Sequence, residues 1–234
     1  MRIVAGAHRG RTLVAPKGHS TRPTADRTRQ ALFNVLEHAP WGGPIEGLRV
    51  IDLFAGSGAL GLEALSRGAA FCLLADSDPT AVAAITENVR ALRLEDRCAV
   101  RCLDATRLRV NSPSPLRGGG SPPGPARGRP EDRLRGGGAQ SRGDLAWEAP
   151  SPASPVLPPK AEETSPFDLA FLDPPYARGL AEPTLASLAD GGWLAPGAVV
   201  VAERGAAEGD LKAPGYEMLD SRPWGGARVW FLRV

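Results

Sequence analysis

Short apolar runs alternate with helical patterns along most of this 234-residue chain. The runs predict five strands, at 49–54, 71–75, 98–103, 167–172 and 198–202. Apolar residues at helical spacing predict helices between them, at 59–67, 79–92 and 180–189. We therefore predict an α/β fold, a Rossmann-like, doubly wound and mostly parallel sheet, in which ligands bind at the carboxyl ends of the strands.

The two ends of the chain depart from this alternation. Residues 1–23 mix short apolar pieces with Gly, Arg and Pro, which predicts a small hairpin or arm. Thr24 predicts the N-cap of a helix that runs to about residue 38. Near the C-terminus, 216–219 and 228–234 predict an antiparallel pair, so that the final strand runs against the sheet.

Residues 112–165 do not continue the pattern. They contain nine Gly and eleven Pro in 54 residues, a level typical of low-complexity sequence. Such a segment buries too little apolar surface to offset its ordering entropy, so we predict a disordered insertion. The predicted organisation is a basic N-terminal arm and helix (1–40), a main domain (41–111 with 166–234) and the insertion (112–165).

The net charge of +2 conceals a segregation of charge. Residues 1–38 hold seven Lys/Arg and two Asp/Glu, a net charge of +5. A basic segment on an acidic body predicts a polyanionic partner, although a solvated basic face without a partner would look the same. No apolar run is long enough for a membrane span, no Cys/His spacing suits zinc, and the three cysteines are expected to be buried apolar residues. We therefore expect a metal-free, monomeric cytoplasmic protein.

A glycine-rich loop follows the first predicted strand. Gly56, Gly58 and Gly61 form a G-x-G-x-x-G pattern, and Asp76 ends the next strand, where its carboxylate can accept from ribose hydroxyls. This much suits NAD equally well. Asp52, just before the loop, favours S-adenosylmethionine instead, because its charge would attract an ammonium group and repel a pyrophosphate. Asp104, after the third predicted strand, is a predicted acceptor for the adenine amine. The predicted cofactor-binding residues are Asp52, Phe54, Gly56, Ser57, Gly58, Asp76 and Asp104.

The sequence Asp173-Pro174-Pro175-Tyr176 follows the fourth predicted strand. An exocyclic amine on a base is a poor nucleophile, because its lone pair is delocalised into the ring. The Asp173 carboxylate and the Pro174 carbonyl can hold both N–H groups, and Tyr176 can stack on the base. The predicted reaction is methyl transfer to such an amine, with Asp173, Pro174 and Tyr176 as catalytic residues and catalysis mainly by positioning.

Five stretches of the chain resemble the RsmD-type family of bacterial 16S rRNA guanine-N2 methyltransferases. They are 1–11, 22–34, 52–69, 173–179 and 191–194. The resemblance implies a Rossmann-like methyltransferase fold, S-adenosylmethionine as methyl donor, and the N2 amine of one guanine of 16S rRNA as substrate, within a small-subunit particle. The basic residues that we expect to contact RNA phosphates are Arg9, Arg11, Arg22, Arg27 and Arg29.

Three other functions compete with this one. An adenine-N6 DNA methyltransferase shares the glycine loop and the Asp-Pro-Pro-Tyr motif, but the chain has no segment that predicts a separate base-reading domain. An NAD-dependent oxidoreductase would use the loop and leave residues 173–176 without a role. A noncatalytic RNA-binding protein of ribosome assembly would not depend on Asp173 for methyl incorporation.

Overall fold

A seven-stranded sheet organises the part of the chain that the computed structural model describes, residues 1–16, 25–108 and 165–234. The strands are β1 (Arg49–Leu53), β2 (Phe71–Asp76), β3 (Cys98–Cys102), β4 (Phe167–Leu172), β5 (Leu194–Gly205), β6 (Glu217–Trp224) and β7 (Ala227–Arg233). Their order in the sheet is β3-β2-β1-β4-β5-β7-β6. Strands β1 to β5 are parallel, whereas β7 is antiparallel to both β5 and β6.

Within the described ranges, four α-helices pack against this sheet: α1 (Ala25–His38), α2 (Ala59–Ser66), α3 (Pro79–Leu92) and α4 (Ala181–Asp190). The central strands β1, β2 and β4 are buried on both faces, as expected where helices cover a parallel sheet on both sides. Val50 of β1 belongs to the apolar cluster that contains α1, α2 and α3, while the next residue, Ile51, belongs to the cluster that contains α4. No helix among the described residues has the length and apolar character to span a membrane.

The predicted fold class is confirmed, including the antiparallel final strand. The helix at 79–92 and the strand at 167–172 have the predicted bounds, but β5 and β6 are longer than predicted. Cysteine burial was predicted wrongly in part, because Cys72 is buried whereas Cys102 is exposed. Cys102 is the last residue of β3, which pairs with β2 alone among the described strands and so lies at an edge of the described sheet.

The predicted N-terminal hairpin is present in residues 1–16. Arg2 and Thr12 form an antiparallel bridge, and Leu13 N–H donates to the Met1 carbonyl at 3.0 Å. Ile3 and Leu13 are buried in the same cluster as α1 and α2. The hairpin and α1 therefore belong to the same compact unit as the sheet. The predicted N-cap Thr24 and the predicted insertion, up to residue 164, lie outside the described residues.

Candidate active site

The glycine-rich loop leaves the carboxyl end of β1 with a backbone that only some residues adopt. Gly56 and Gly58 have φ of 58° and 78°, and Phe54 has φ of 63°, which is uncommon for a residue with a side chain. A Cβ built on Gly56 would meet no atom within 4 Å. The backbone there is open to a ligand, so the loop fits a cofactor that packs directly on main-chain atoms.

Asp76 ends β2 and holds this loop in place. Its Oδ2 accepts from Gly56 N–H at 2.9 Å, and its Oδ1 accepts from Asp78 N–H at 2.9 Å. A carboxylate can accept about four hydrogen bonds, so Asp76 retains capacity for ribose hydroxyls. Asp104 follows β3 and is exposed, and its Oδ1 accepts from the backbone and hydroxyl of Thr106, which lowers its pKa.

Asp52 lies beneath the loop rather than beside its open face. Its side chain belongs to a residue only 1% exposed, and Oδ2 accepts from the backbone N–H of Gly61 in the first turns of α2 at 2.8 Å. Burial raises the pKa of Asp52 to about 7, and the neighbouring Asp76 carboxylate adds to the rise, while the Gly61 hydrogen bond opposes it. Any electrostatic effect of Asp52 on a ligand must therefore act from below the loop.

The register of the sheet brings the two predicted motifs together. Leu172 of β4 is paired with Leu53 of β1 on one side and with Ala202 of β5 on the other. Asp173 and Phe54, the next residues along each chain segment, therefore leave neighbouring strands at the same level. Neighbouring strands are roughly 4.8 Å apart, so the Asp-Pro-Pro-Tyr motif begins beside the glycine loop.

Tyr176 is held by a residue that was not among the predicted catalytic set. Its hydroxyl donates to Glu203 Oε1 at 2.5 Å, and its ring lies against Gly205, where an added Cβ would be 3.3 Å from Cδ2. Glu203 is one residue beyond Ala202, so it lies at the level of Asp173. The sequence signal was an acidic residue at the end of a predicted strand. Within the motif, Pro174 is buried while Asp173 and Pro175 are exposed.

The five arginines predicted to contact RNA occupy different environments. Arg27 is exposed on the first turn of α1, and Arg22 lies outside the described residues. Arg29 is a correction: its side chain is only 3% exposed, it pairs with Asp26 at 2.8 Å, and it lies 3.5 Å from Glu63. Because Arg29 lies on the buried face of α1, it stabilises the fold and cannot reach an RNA phosphate.

Arg9 and Arg11 are exposed at the opposite edge of the sheet from Asp173. Arg11 Nη2 donates to the carbonyl of Ala91, near the end of α3, at 3.0 Å. A helix that follows a parallel strand returns to the edge where the strands begin, which here we call the amino edge. A five-residue strand spans roughly 17 Å, so the two edges of the sheet are separated by about that distance. Burial lowers the pKa of His8 nearby, and the charges of Arg11 and Arg97 lower it further.

Among the same described residues, no group of three or more His, Cys, Asp or Glu could hold a metal ion. The candidate active site consists instead of the open glycine loop, the strand-terminal carboxylates and the Asp-Pro-Pro-Tyr motif. This arrangement can bind a nucleoside-containing cofactor next to a planar, amine-bearing ring.

The chain is similar to known proteins over most of its length. The model of the family described as Conserved hypothetical protein 95 matches residues 1–115 and 151–233. Ribosomal RNA small subunit methyltransferase D of Escherichia coli (strain K12) is 31% identical over 204 residues, 87% of this chain and 74% of that protein. YlbH of Bacillus subtilis, named as an rRNA methyltransferase, is 42% identical over 107 residues, which cover 46% of this chain and about half (55%) of that protein.

A solved structure has a similar fold over the length of this chain. The structure of yhhF from Escherichia coli, described as a candidate methyltransferase, has a TM-score of 0.67 and 25% sequence identity, and covers 100% of this chain and 97% of its own. With its mostly parallel sheet and antiparallel β7, this chain has the class I methyltransferase fold. Because the family model matches both segments that build the sheet, the chain belongs to the Conserved hypothetical protein 95 family, which includes the small-subunit rRNA methyltransferases D.

Proposed function

We propose that this protein uses S-adenosylmethionine to methylate the N2 amine of one guanine in 16S rRNA. The observation that carries the proposal is the pairing of Leu53 with Leu172, which starts the glycine loop and the Asp-Pro-Pro-Tyr motif side by side. The names of its relatives support rRNA as the substrate. The resemblance of the N-terminal and catalytic stretches to RsmD-type enzymes supports guanine N2 and small-subunit RNA, and such a substrate is found in the cytoplasm.

The glycine loop and the strand-terminal carboxylates fit the cofactor. When bound, S-adenosylmethionine supplies an electrophilic methyl group. The backbone at Gly56 gives it an open surface, and Phe54, Ser57 and Gly58 complete the loop. Asp76 has acceptor capacity for ribose hydroxyls, and Asp104 is an exposed acceptor for the adenine amine. Asp52 contributes negative charge from beneath the loop when it is ionised.

The Asp-Pro-Pro-Tyr motif holds the target amine. Asp173 and the Pro174 carbonyl accept the two N–H groups, which directs the nitrogen lone pair towards the neighbouring glycine loop. The two prolines restrict the backbone, so this geometry is set before the base arrives. Tyr176 provides a stacking surface whose orientation is restrained by its hydrogen bond to Glu203. A base within a helix must first leave the stack to enter this site.

Basic residues at two levels of the molecule contact the RNA backbone. Arg27 follows Asp26 on α1, and the side chain of Arg2, which is 68% exposed, pairs with Asp26 at 3.2 Å. Arg9 and Arg11 lie at the amino edge, so they would contact phosphates remote from the target guanine. Each phosphate contact that is removed should weaken RNA binding and lower its salt dependence.

The test uses small ribosomal subunits from a strain that lacks the enzyme. The protein is incubated with these subunits and labelled S-adenosylmethionine, and the labelled nucleoside is identified by mass spectrometry. We expect N2-methylguanosine. N6-methyladenosine would support the adenine-specific alternative, and no label with subunits, naked 16S rRNA or DNA would overturn the enzymatic proposal.

Asp173→Ala should abolish labelling without loss of cofactor binding, because the carboxylate acts on the amine. Asp96→Ala is the matched control, since Asp96 is exposed in the turn between α3 and β3, at the amino edge. Methylation by the Asp173 variant at the rate of the control would refute the catalytic role of Asp173.

A further inference from the structure

One buried side chain joins the N-terminal hairpin to the glycine loop. Asn88 of α3 is 1% exposed, and its Oδ1 accepts from Val14 N–H at 2.7 Å. Its Nδ2 donates to the Val14 carbonyl and to the Ser57 carbonyl, each at 2.9 Å. All three contacts are to main-chain atoms, so they depend on the backbone positions of the hairpin and of the loop rather than on particular side chains.

The open end of the hairpin contacts the loop a second time. Met1 and Leu13 are hydrogen bonded across this end, next to Val14. The Ser57 hydroxyl lies 3.2 Å from the Met1 sulfur, and Ser57 is itself buried. The residue between the two loop glycines is therefore in contact with the hairpin through its side chain and, by way of Asn88, through its carbonyl.

The turn of the hairpin is anchored elsewhere. The Ser66 hydroxyl donates to the Ala5 carbonyl at 2.6 Å and accepts from His8 N–H at 3.0 Å, and the Ser66 carbonyl accepts from Ala7 N–H at 2.8 Å. Ser66 is the last residue of α2, at the amino edge, so these contacts do not involve the glycine loop. The hairpin is also anchored at Glu63, which accepts from the N–H groups of Val4 and Ala5. Of these anchors, only the open end of the hairpin, held by Asn88, also contacts the glycine loop.

We propose that Asn88 is a positioning residue that couples RNA binding by the N-terminal segment to cofactor binding by the glycine loop. If the hairpin shifts, Nδ2 cannot keep both carbonyls, and a buried donor or acceptor is left unsatisfied, which is costly. The docked hairpin and the ordered loop are therefore favoured together. This inference rests on the proposed function, because it requires that RNA binds this segment and that S-adenosylmethionine binds the loop.

Coupling of this kind is reciprocal, so it can be measured from either side. The dissociation constant of labelled S-adenosylhomocysteine is determined by equilibrium dialysis, with and without a saturating concentration of small subunits from the strain that lacks the enzyme. For the native protein we expect the subunits to lower this constant at least about fivefold, the lower end of typical coupling between sites. A ratio of one would overturn the inference.

Asn88→Asp tests the residue at nearly constant volume. It retains the acceptor for Val14 N–H and loses the donors to Val14 and Ser57, so we expect the ratio to fall to near one. Asn88→Ala is the second variant if the aspartate does not fold. Circular dichroism and urea unfolding identify which variants are folded, and a folded variant with the native ratio would refute the role of Asn88.

Ser66→Ala is the matched control, because it weakens an anchor of the same hairpin that does not contact the glycine loop. We expect it to keep the native ratio. Loss of coupling in both variants would show that hairpin docking in general, and not Asn88, is responsible. Methylation of subunits by the native protein is measured in parallel: normal methylation without coupling refutes only this inference, whereas no methylation refutes the proposed function.

Discussion

Replacement of Arg29 by alanine should lower the free energy of unfolding of this protein without removing an RNA contact. The Arg29 guanidinium pairs with Asp26 at 2.8 Å, lies 3.5 Å from the fully buried Glu63, and donates to the carbonyl of Arg2. The 3.5 Å contact is an ion pair rather than a hydrogen bond, since Arg29 Nε has no hydrogen-bond partner. Alanine would leave the Glu63 carboxylate with less positive charge around it.

The magnitude follows from what remains at Glu63. Removal of one partner from a buried ion pair costs about 3–5 kcal/mol. Glu63 keeps Arg67 Nε at 2.9 Å and the backbone N–H groups of Val4 and Ala5, at 2.8 and 3.0 Å. These partners place the cost at the lower end, about 3 kcal/mol, which for a chain of this size lowers Tm by roughly 6–12 °C.

Arg27→Ala is the matched control, two residues away on the same helix and exposed. Urea unfolding gives the free energy of unfolding, and binding of small subunits at several salt concentrations gives affinity and its salt dependence. We expect Arg29→Ala to lower stability and, at a temperature where it is folded, to bind RNA normally. Arg27→Ala should keep the unfolding midpoint and lower the salt slope by about one.

Two results would refute this reasoning. If Arg29→Ala unfolds within about 1 kcal/mol of the native protein, the buried network does not hold the hairpin and α1 as described. If the folded Arg29 variant loses RNA affinity with a reduced salt slope, as expected for the loss of a phosphate contact, Arg29 contacts the RNA and is not confined to the buried network.

Three further changes test the active site and its support. Tyr176→Phe should lower kcat about tenfold, equivalent to the loss of one hydrogen bond to a charged acceptor, and should leave cofactor binding unchanged. Tyr216→Phe is the control, because it loses a hydrogen bond remote from the site and should leave kcat unchanged. Equal effects of the two variants on kcat would refute the role of Tyr176. Burial raises the pKa of Asp52 from 3.8 to about 7, so the folded state binds a proton that the unfolded chain has released. The contribution of Asp52 to stability is therefore greatest below about pH 4 and is lost as pH rises to about 7, and this loss is at most about 4 kcal/mol. Asp52→Asn should flatten the pH dependence of the free energy of unfolding, measured with urea, over this range. An unchanged pH dependence would contradict the raised pKa. Gly61→Ala should lower the free energy of unfolding in urea by about 1–3 kcal/mol, because the added Cβ would lie 2.6 Å from both the Cys72 sulfur and a Leu74 methyl. Gly43→Ala should be neutral, because an added Cβ there would meet no atom within 4 Å. Equal stability of the two variants would argue against the close packing of α2 on the sheet.

Much of the fold was predictable because its signals are local. The helix at 79–92 begins after Asp78, whose side chain accepts from Thr80 N–H, with Pro79 in the first turn, and both features are visible in the sequence. The strand at 167–172 is a continuous apolar run, as expected for a strand buried on both faces. The length of β5 was not predictable from its apolar core alone, since Pro196 and Gly197 near its beginning read as a turn.

The sequence by itself determined the order of strands and helices, the glycine loop and the Asp-Pro-Pro-Tyr motif, because each depends on residues that are close along the chain. Only the tertiary structure decided the use of side chains whose partners are distant in sequence. Glu203 holds Tyr176 from 27 residues away, and Asn88 contacts Val14 from 74 residues away. Arg27 and Arg29 look alike in the sequence, yet one faces solvent and the other a buried carboxylate, because α1 presents them to different sides. Burial and long-range pairing arise when the elements pack, and no local pattern encodes them.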